Sequence, residues 1–314
     1  MNRAGMKGTD INPLAVKRPT RASEVKFAWV IAGLAVLFAR PLYALVLFAL
    51  HSELYSYILL VPAVSLYLAW QRRDVVSCDK TPKRKMAWLL ITTALVLIGW
   101  YGFTRGAGQL WPRQDYLSAL ILAWVLLVGA AGFWLIDIGR LHAFVSPLSF
   151  LVFMVPIPVV VEAGLEAFLQ HGSALAARLF FSLAGMPYVY ENLTFNLPGF
   201  NMHVAPECSG VHSSLVLFMT SVVAGQMFLR SPWKQLVFMV AVIPLGLLRN
   251  GFRAFVIGEL CVHIGPEMSD SWIHHRGGPV FFLLSLIPML LFLYFLIRSE
   301  RRAEASSGDR PHSP

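Results

Sequence analysis

Three short clusters hold the residues able to do covalent chemistry: Pro206-Glu207-Cys208-Ser209-Gly210, Arg249-Asn250-Gly251-Phe252-Arg253 and Trp272-Ile273-His274-His275-Arg276-Gly277-Gly278. The nucleophilic form of cysteine is the thiolate, and a free thiol titrates near about 8.5. Cys208 immediately precedes an apolar run. The positive end of that helix dipole, helped by a nearby cation, favours its thiolate. Most buried cysteines serve only as small hydrophobes. That role suits Cys261, at the end of an apolar helix, and suits a cysteine between Glu207 and Ser209 badly. Cys78 lies in a Lys/Arg-rich loop.

Arg249 and Arg253 are four apart and share a helix face. An arginine within an apolar span is costly and points to function. A guanidinium holds an oxyanion or carboxylate through several donors; its bland use is to reach the interface or to pair with Glu259 or Asp270. A histidine beside a thiol serves as general acid or base, or stabilises a transition state. His274 and His275 are adjacent and equally placed for that task. His203, His212 and His263 read as hydrogen-bonded bystanders. A metal site would need a second soft ligand at a workable spacing, and none is offered. Serine-hydrolase, phosphate-loop and dinucleotide fingerprints are absent, so no metal or cofactor is expected.

The elements that hold these clusters are membrane helices. The 314 residues are 57% hydrophobic and 14% charged, a charge fraction well below that of a soluble domain. Their apolar runs approach the ~20 residues that cross a bilayer. The expected fold is all-α, a polytopic membrane bundle of about eight spans: 27–47, 54–70, 86–104, 116–137, 143–161, 210–229, 235–258 and 279–297. The cationic excess sits in short loops, which sets orientation and argues against a nucleic-acid partner. With a cytoplasmic N-terminus, 19 Lys and Arg fall inside and only Arg105, Arg113, Arg178 and Arg276 outside. Both termini are then cytoplasmic. The division is a basic segment 1–26 without a cleaved signal peptide, a membrane domain 27–297, and a disordered tail 298–314.

Segment 162–209 faces outward in this scheme. Glu162 to Ala184 carries apolar residues at helical spacing, predicting an amphipathic interfacial helix. Pro187 to Val204 alternates around Pro198-Gly199 and predicts an extended or hairpin-like cap. The segment is either a plain loop or a lid over the site. At 1.5 Å per residue from Lys234, Arg253 stands roughly 25–28 Å up, near the outer edge of a ~30 Å hydrocarbon core. Cys208 and His274 precede the sixth and eighth spans at the same outer end.

Glu207-Cys208-Ser209-Gly210, Asn250-Gly251-Phe252-Arg253 and His274-x-x-x-Gly278-x-x-Phe281-Phe282 resemble, in order and spacing, the three motifs of the exosortase/archaeosortase family. The resemblance implies a cysteine protease/transpeptidase in a bacterial inner membrane. Its substrates would be exported proteins with a C-terminal sorting signal: a short motif such as Pro-Glu-Pro, a membrane helix and a basic tail. By similarity Cys208 forms the acyl-thioester, Arg253 donates a proton and His274 stabilises the transition state, with Arg249 and Asn250 toward substrate. Arg249 is one turn from Arg253 and able to take its role. Two other classes compete, a transporter lined by Arg and His and a non-catalytic factor for extracellular polysaccharide. A transporter would carry internal repeats or polar breaks near the midplane; here the polar residues gather at one face.

Overall fold

Prolines divide the apolar runs. In the computed structural model, which describes residues 21–71, 84–108, 111–135, 145–204, 210–265, 267–268 and 277–308, α1 (Arg21–Leu37) and α2 (Ala39–Leu50) meet at 74°. Pro41, in the first turn of α2, cannot bond back to Leu37 and its ring crowds that carbonyl, which ends α1. A 3-10 turn, Ser56–Leu59, leads into α3 (Val61–Gln71). Next come α4 (Arg84–Gly106) and α5 (Arg113–Leu135), packed side by side. The apolar helix α6 (Val145–Met154) turns by 93° into α7 (Val159–Ala184). The expected single span 143–161 is therefore broken, because Pro156 and Pro158 cannot continue a helix.

Beyond this come three strands, β1 (Val189–Glu191), β2 (Thr194–Leu197) and β3 (Phe200–His203). The chain closes with α8 (Val211–Phe228), α9 (Pro232–His263) and α10 (Gly278–Gly308). By length and composition five helices can cross a membrane: α4, α5, α8, α9 and the Gly278–Ala303 part of α10. The two bent pairs, each taken as one span, raise this to seven, and Ser56–Gln71 is a shorter apolar helix. The protein is thus an all-α multi-pass bundle with a small sheet. Helix α10 runs ten residues past 298, into the segment whose composition predicts a disordered tail.

Side-chain bonds tie the helix ends into two groups. At one end Tyr55 donates to Glu162 Oε2 (2.8 Å) and Gln114 Nε2 donates to Tyr55 Oη (2.9 Å) and to Glu162. Asp115 Oδ1 accepts from the Val159 N–H at 2.8 Å, capping α7 from another helix. At the other end Glu300 accepts from the Arg230 and Ser231 N–H groups, and Lys234 donates to Ser299.

The chemistry-bearing helix, α9, packs against α7, α8 and α10. A Cβ on Gly251 would lie 2.7 Å from the Ala177 backbone N, so this crossing requires glycine. Helix α7 ends in a Schellman turn at Gly185 (φ 71°), where the Met186 N–H reaches Phe181 O and the Gly185 N–H reaches Ser182 O. The strands form an antiparallel sheet in the order β1-β2-β3. Asn192 and Leu193, both at positive φ, make the first tight turn, and Pro198-Gly199 the second. Phe195 and Leu197 face inward onto Phe181 of α7 and the Ala254–Phe255 region of α9. The sheet thereby lies over the end of α9 that carries Arg253.

Candidate active site

Helix α8 begins at Gly210, whose φ of 69° is a left-handed conformation that glycine adopts without strain. A Cβ there would fall 2.5 Å from Asn250 Oδ1 and 2.7 Å from Asn250 Cγ, so the last residue of the first cluster abuts the second. One turn on, Ser213 and Ser214 face α9. Arg249 Nη2 donates to Ser213 Oγ (2.7 Å), to Ser214 Oγ (3.4 Å) and to Asn250 Oδ1 (2.8 Å). Arg249 is only 7% exposed, and its Nη1 has no partner among the described residues. It neither reaches solvent nor pairs with Glu259, which instead meets His263 at 3.0 Å.

Four residues on, Arg253 is half-buried and faces elsewhere. With Asn250 and Ile257 it walls a cleft of about 140 Å³ closed by Ser173 of α7 and by residues 200–204. Ser173 Oγ is buried there without a partner among the described residues. Gln170 Nε2 donates to Val204 O and fastens the end of β3 beside the cleft. The shared face expected for the two arginines therefore splits: Arg249 belongs to the α8–α9 seam and Arg253 to the cleft. A helix advances 40° over four residues, enough for two long side chains to enter different gaps.

The third motif joins through Phe281, three residues beyond its cluster. Its buried ring meets Phe252 edge-to-face, with centroids 6.2 Å apart. Phe252 also contacts Phe180 of α7 at 5.4 Å. Described residues of the first two clusters, and Phe281 of the third motif, thus meet at residues 250–253 of α9. Cys208 and His274, with His275 and Arg276, lie outside the described residues. Among the bystander histidines, His203 Nδ1 lies 3.0 Å from Thr194 Oγ1 and also lines the cleft, while His212 is exposed on α8. Cys261 is a buried free thiol.

Sequence reasoning missed Ser213, Ser214 and Ser173. The first two had a signal: Gly210, Ser213 and Ser214 stand at i, i+3 and i+4, a polar stripe at the mouth of an apolar helix. Ser173, in the middle of the segment read as an amphipathic interfacial helix, had none.

Among curated proteins and among solved structures no match is found. The family model described as transmembrane exosortase matches residues 49–291, a stretch that contains all three clusters and every helix around them from α3 to α9. The chain belongs to the transmembrane exosortases, a family of protein-sorting membrane enzymes.

Proposed function

We propose that this protein is a cysteine transpeptidase or endopeptidase that cleaves the C-terminal sorting signal of exported proteins at the outer face of a bacterial inner membrane. The signal is a short motif such as Pro-Glu-Pro, followed by a membrane helix and a basic tail. One observation carries the reading: Gly210 on Asn250 and Phe281 on Phe252 bring described residues of the three motifs to one end of α9, beside the Arg253 cleft. Two residue steps, at most about 7 Å, separate Cys208 from Gly210 along the chain. His274 is three residues from Gly277, which leads into α10.

In this mechanism the Cys208 thiolate attacks the scissile carbonyl. The resulting oxyanion is stabilised by His274, and the C–N bond then breaks as Arg253 gives a proton to the departing amine. The acyl-thioester passes to an amine or other nucleophile, or to water, whose proton returns to Arg253 as Cys208 leaves as the thiolate. Arg249 and Asn250 serve the substrate side, Asn250 at the cleft wall and Arg249 from behind it. Orientation rests on charge: residues 1–26 and 298–314 are cytoplasmic and flank the membrane domain 27–297. The hydrogen-bonded grouping of Tyr55, Gln114 and Glu162 at one end, and of Glu300, Ser299 and Lys234 at the other, supports an alternating path.

The test is Cys208→Ala in the native host, following exported proteins that end in a helix and basic tail. Uncleaved membrane-retained precursors are expected, whereas Cys78→Ala and Cys261→Ala retain most processing. Unchanged processing at normal protein level would overturn the thiol mechanism and return weight to transport or polysaccharide assembly.

A further inference from the structure

Strand β3 is an edge of its sheet, and it borders the cleft in an unusual way. Successive residues of a strand point to opposite faces, so a face that lined a cavity would contribute every second residue. Here Phe200, Asn201, Met202, His203 and Val204 all line it without a gap. A continuous run means that the backbone edge itself borders the cleft.

The register fixes which backbone groups look outward. Leu197 pairs with Phe200 across the tight turn, Phe195 with Met202, and the Val204 N–H donates to Leu193 O at 2.9 Å. In an antiparallel ladder the bonded residues alternate. Phe200, Met202 and Val204 therefore address β2, and the N–H and C=O groups of Asn201 and His203 address the cleft. Among the described residues no hydrogen bond engages these four groups. Unpaired edge groups are a template for another extended chain. Arg253, the proton donor of the proposed reaction, stands in the wall of the same cleft, so the extended chain that pairs there is the one presented for cleavage.

We infer that the substrate segment docks as a fourth strand on β3, as an extended peptide paired to the backbone of Asn201 and His203. This inference rests on the proposed protein-sorting function and supplies its binding mode. Pairing of this kind takes affinity from main-chain bonds and is indifferent to most side chains. It has one strict requirement. Proline, lacking an N–H, is accepted only at residues that face away from β3, so prolines fit two apart and never at adjacent positions.

The test begins with the Cys208→Ala full-length protein, which retains its precursor under the proposed function. A photo-crosslinking amino acid is introduced at position 201 or 203, and at Glu191 on the opposite edge strand β1 for comparison. Cross-links from 201 and 203 to the residues just before the precursor's membrane helix, and none from 191, are expected. In the active enzyme, Asn201→Pro and His203→Pro each delete one outward N–H. Each should raise the precursor concentration for half-maximal processing by roughly five- to tenfold, with turnover at saturation kept. Proline variants with unchanged half-saturation, or cross-links from 191 as strong as those from 201 and 203, would overturn the docking mode. If a proline variant loses folded protein, the cross-linking pattern alone decides. If Cys208→Ala leaves processing intact but the cross-links still form, the catalytic reading fails and the docking mode stands.

Discussion

Gly210 and Asn250 are packed so closely that no side chain fits between them. A Cβ on Gly210 would stand 2.5 Å from Asn250 Oδ1, well inside van der Waals contact, and Gly210 is also held at a φ of 69°. Two motifs forty residues apart are thus locked by a missing methyl group, and the same carboxamide accepts a hydrogen bond from Arg249 at 2.8 Å.

Gly210→Ala is expected to abolish most processing, by at least about tenfold. The left-handed backbone alone costs roughly 1–2 kcal/mol with a Cβ, and the clash pushes Asn250 away from Arg249. Precursor processing measured at matched protein level checks this. Normal turnover would mean that the contact yields without consequence for the site.

Arg253 and Arg249 should fail differently. Arg253→Lys removes the planar fork from the cleft, so processing should drop sharply while the thermal midpoint in detergent stays near that of the parent. Arg249→Met takes a charged donor out of a buried seam, away from Ser213 and Asn250, so the midpoint should fall. Ser213→Ala removes a bond to a charged group and is expected to cost about 1.5–3 kcal/mol. If Arg249→Met were stable and inactive, Arg249 would belong to the reaction itself.

At the α7–α9 crossing the neighbours of Gly251 are the Cβ and backbone of Ala176 and the backbone N of Ala177, none of which can rotate aside. Gly251→Ala should reduce folded protein by more than about 1–3 kcal/mol, the usual cost of overpacking. The readout is unfolding temperature and yield from membranes. A Gly164→Ala control, where nothing lies within 4 Å, should be neutral or slightly stabilising.

The Tyr55–Gln114–Glu162 cluster holds the turn into α7. Tyr55→Phe deletes the hydroxyl between Glu162 and Gln114 and should cost about 0.5–1.5 kcal/mol. Asp115→Ala removes the cap on the Val159 N–H and should cost about 1 kcal/mol. Both lower the unfolding midpoint, and processing should follow the amount of folded protein. Loss of processing at full stability would give this cluster a direct part in substrate handling.

Membrane class, most helix positions and the three clusters were legible in sequence because each is a local property. Long apolar runs need bilayer length, and the order of the three motifs is read directly along the chain. The breaks at Pro41 and Pro156–Pro158 were legible in principle, since proline carries the same penalty in any context. They were passed over because hydropathy continues smoothly through them.

Contact across the chain decided the rest. That Arg249 turns into the α8 seam and Arg253 into the cleft depends on which neighbour offers Ser213 and which leaves space, and no spacing rule encodes that. That Gly210 meets Asn250 and Phe281 meets Phe252 depends on how four helices cross. The sequence by itself determined a membrane bundle with a cysteine, an arginine and a histidine in three ordered motifs, because composition and period act residue by residue. Only tertiary structure decided which atoms meet and which strand edge borders the cleft, because close packing is a property of pairs far apart in the chain.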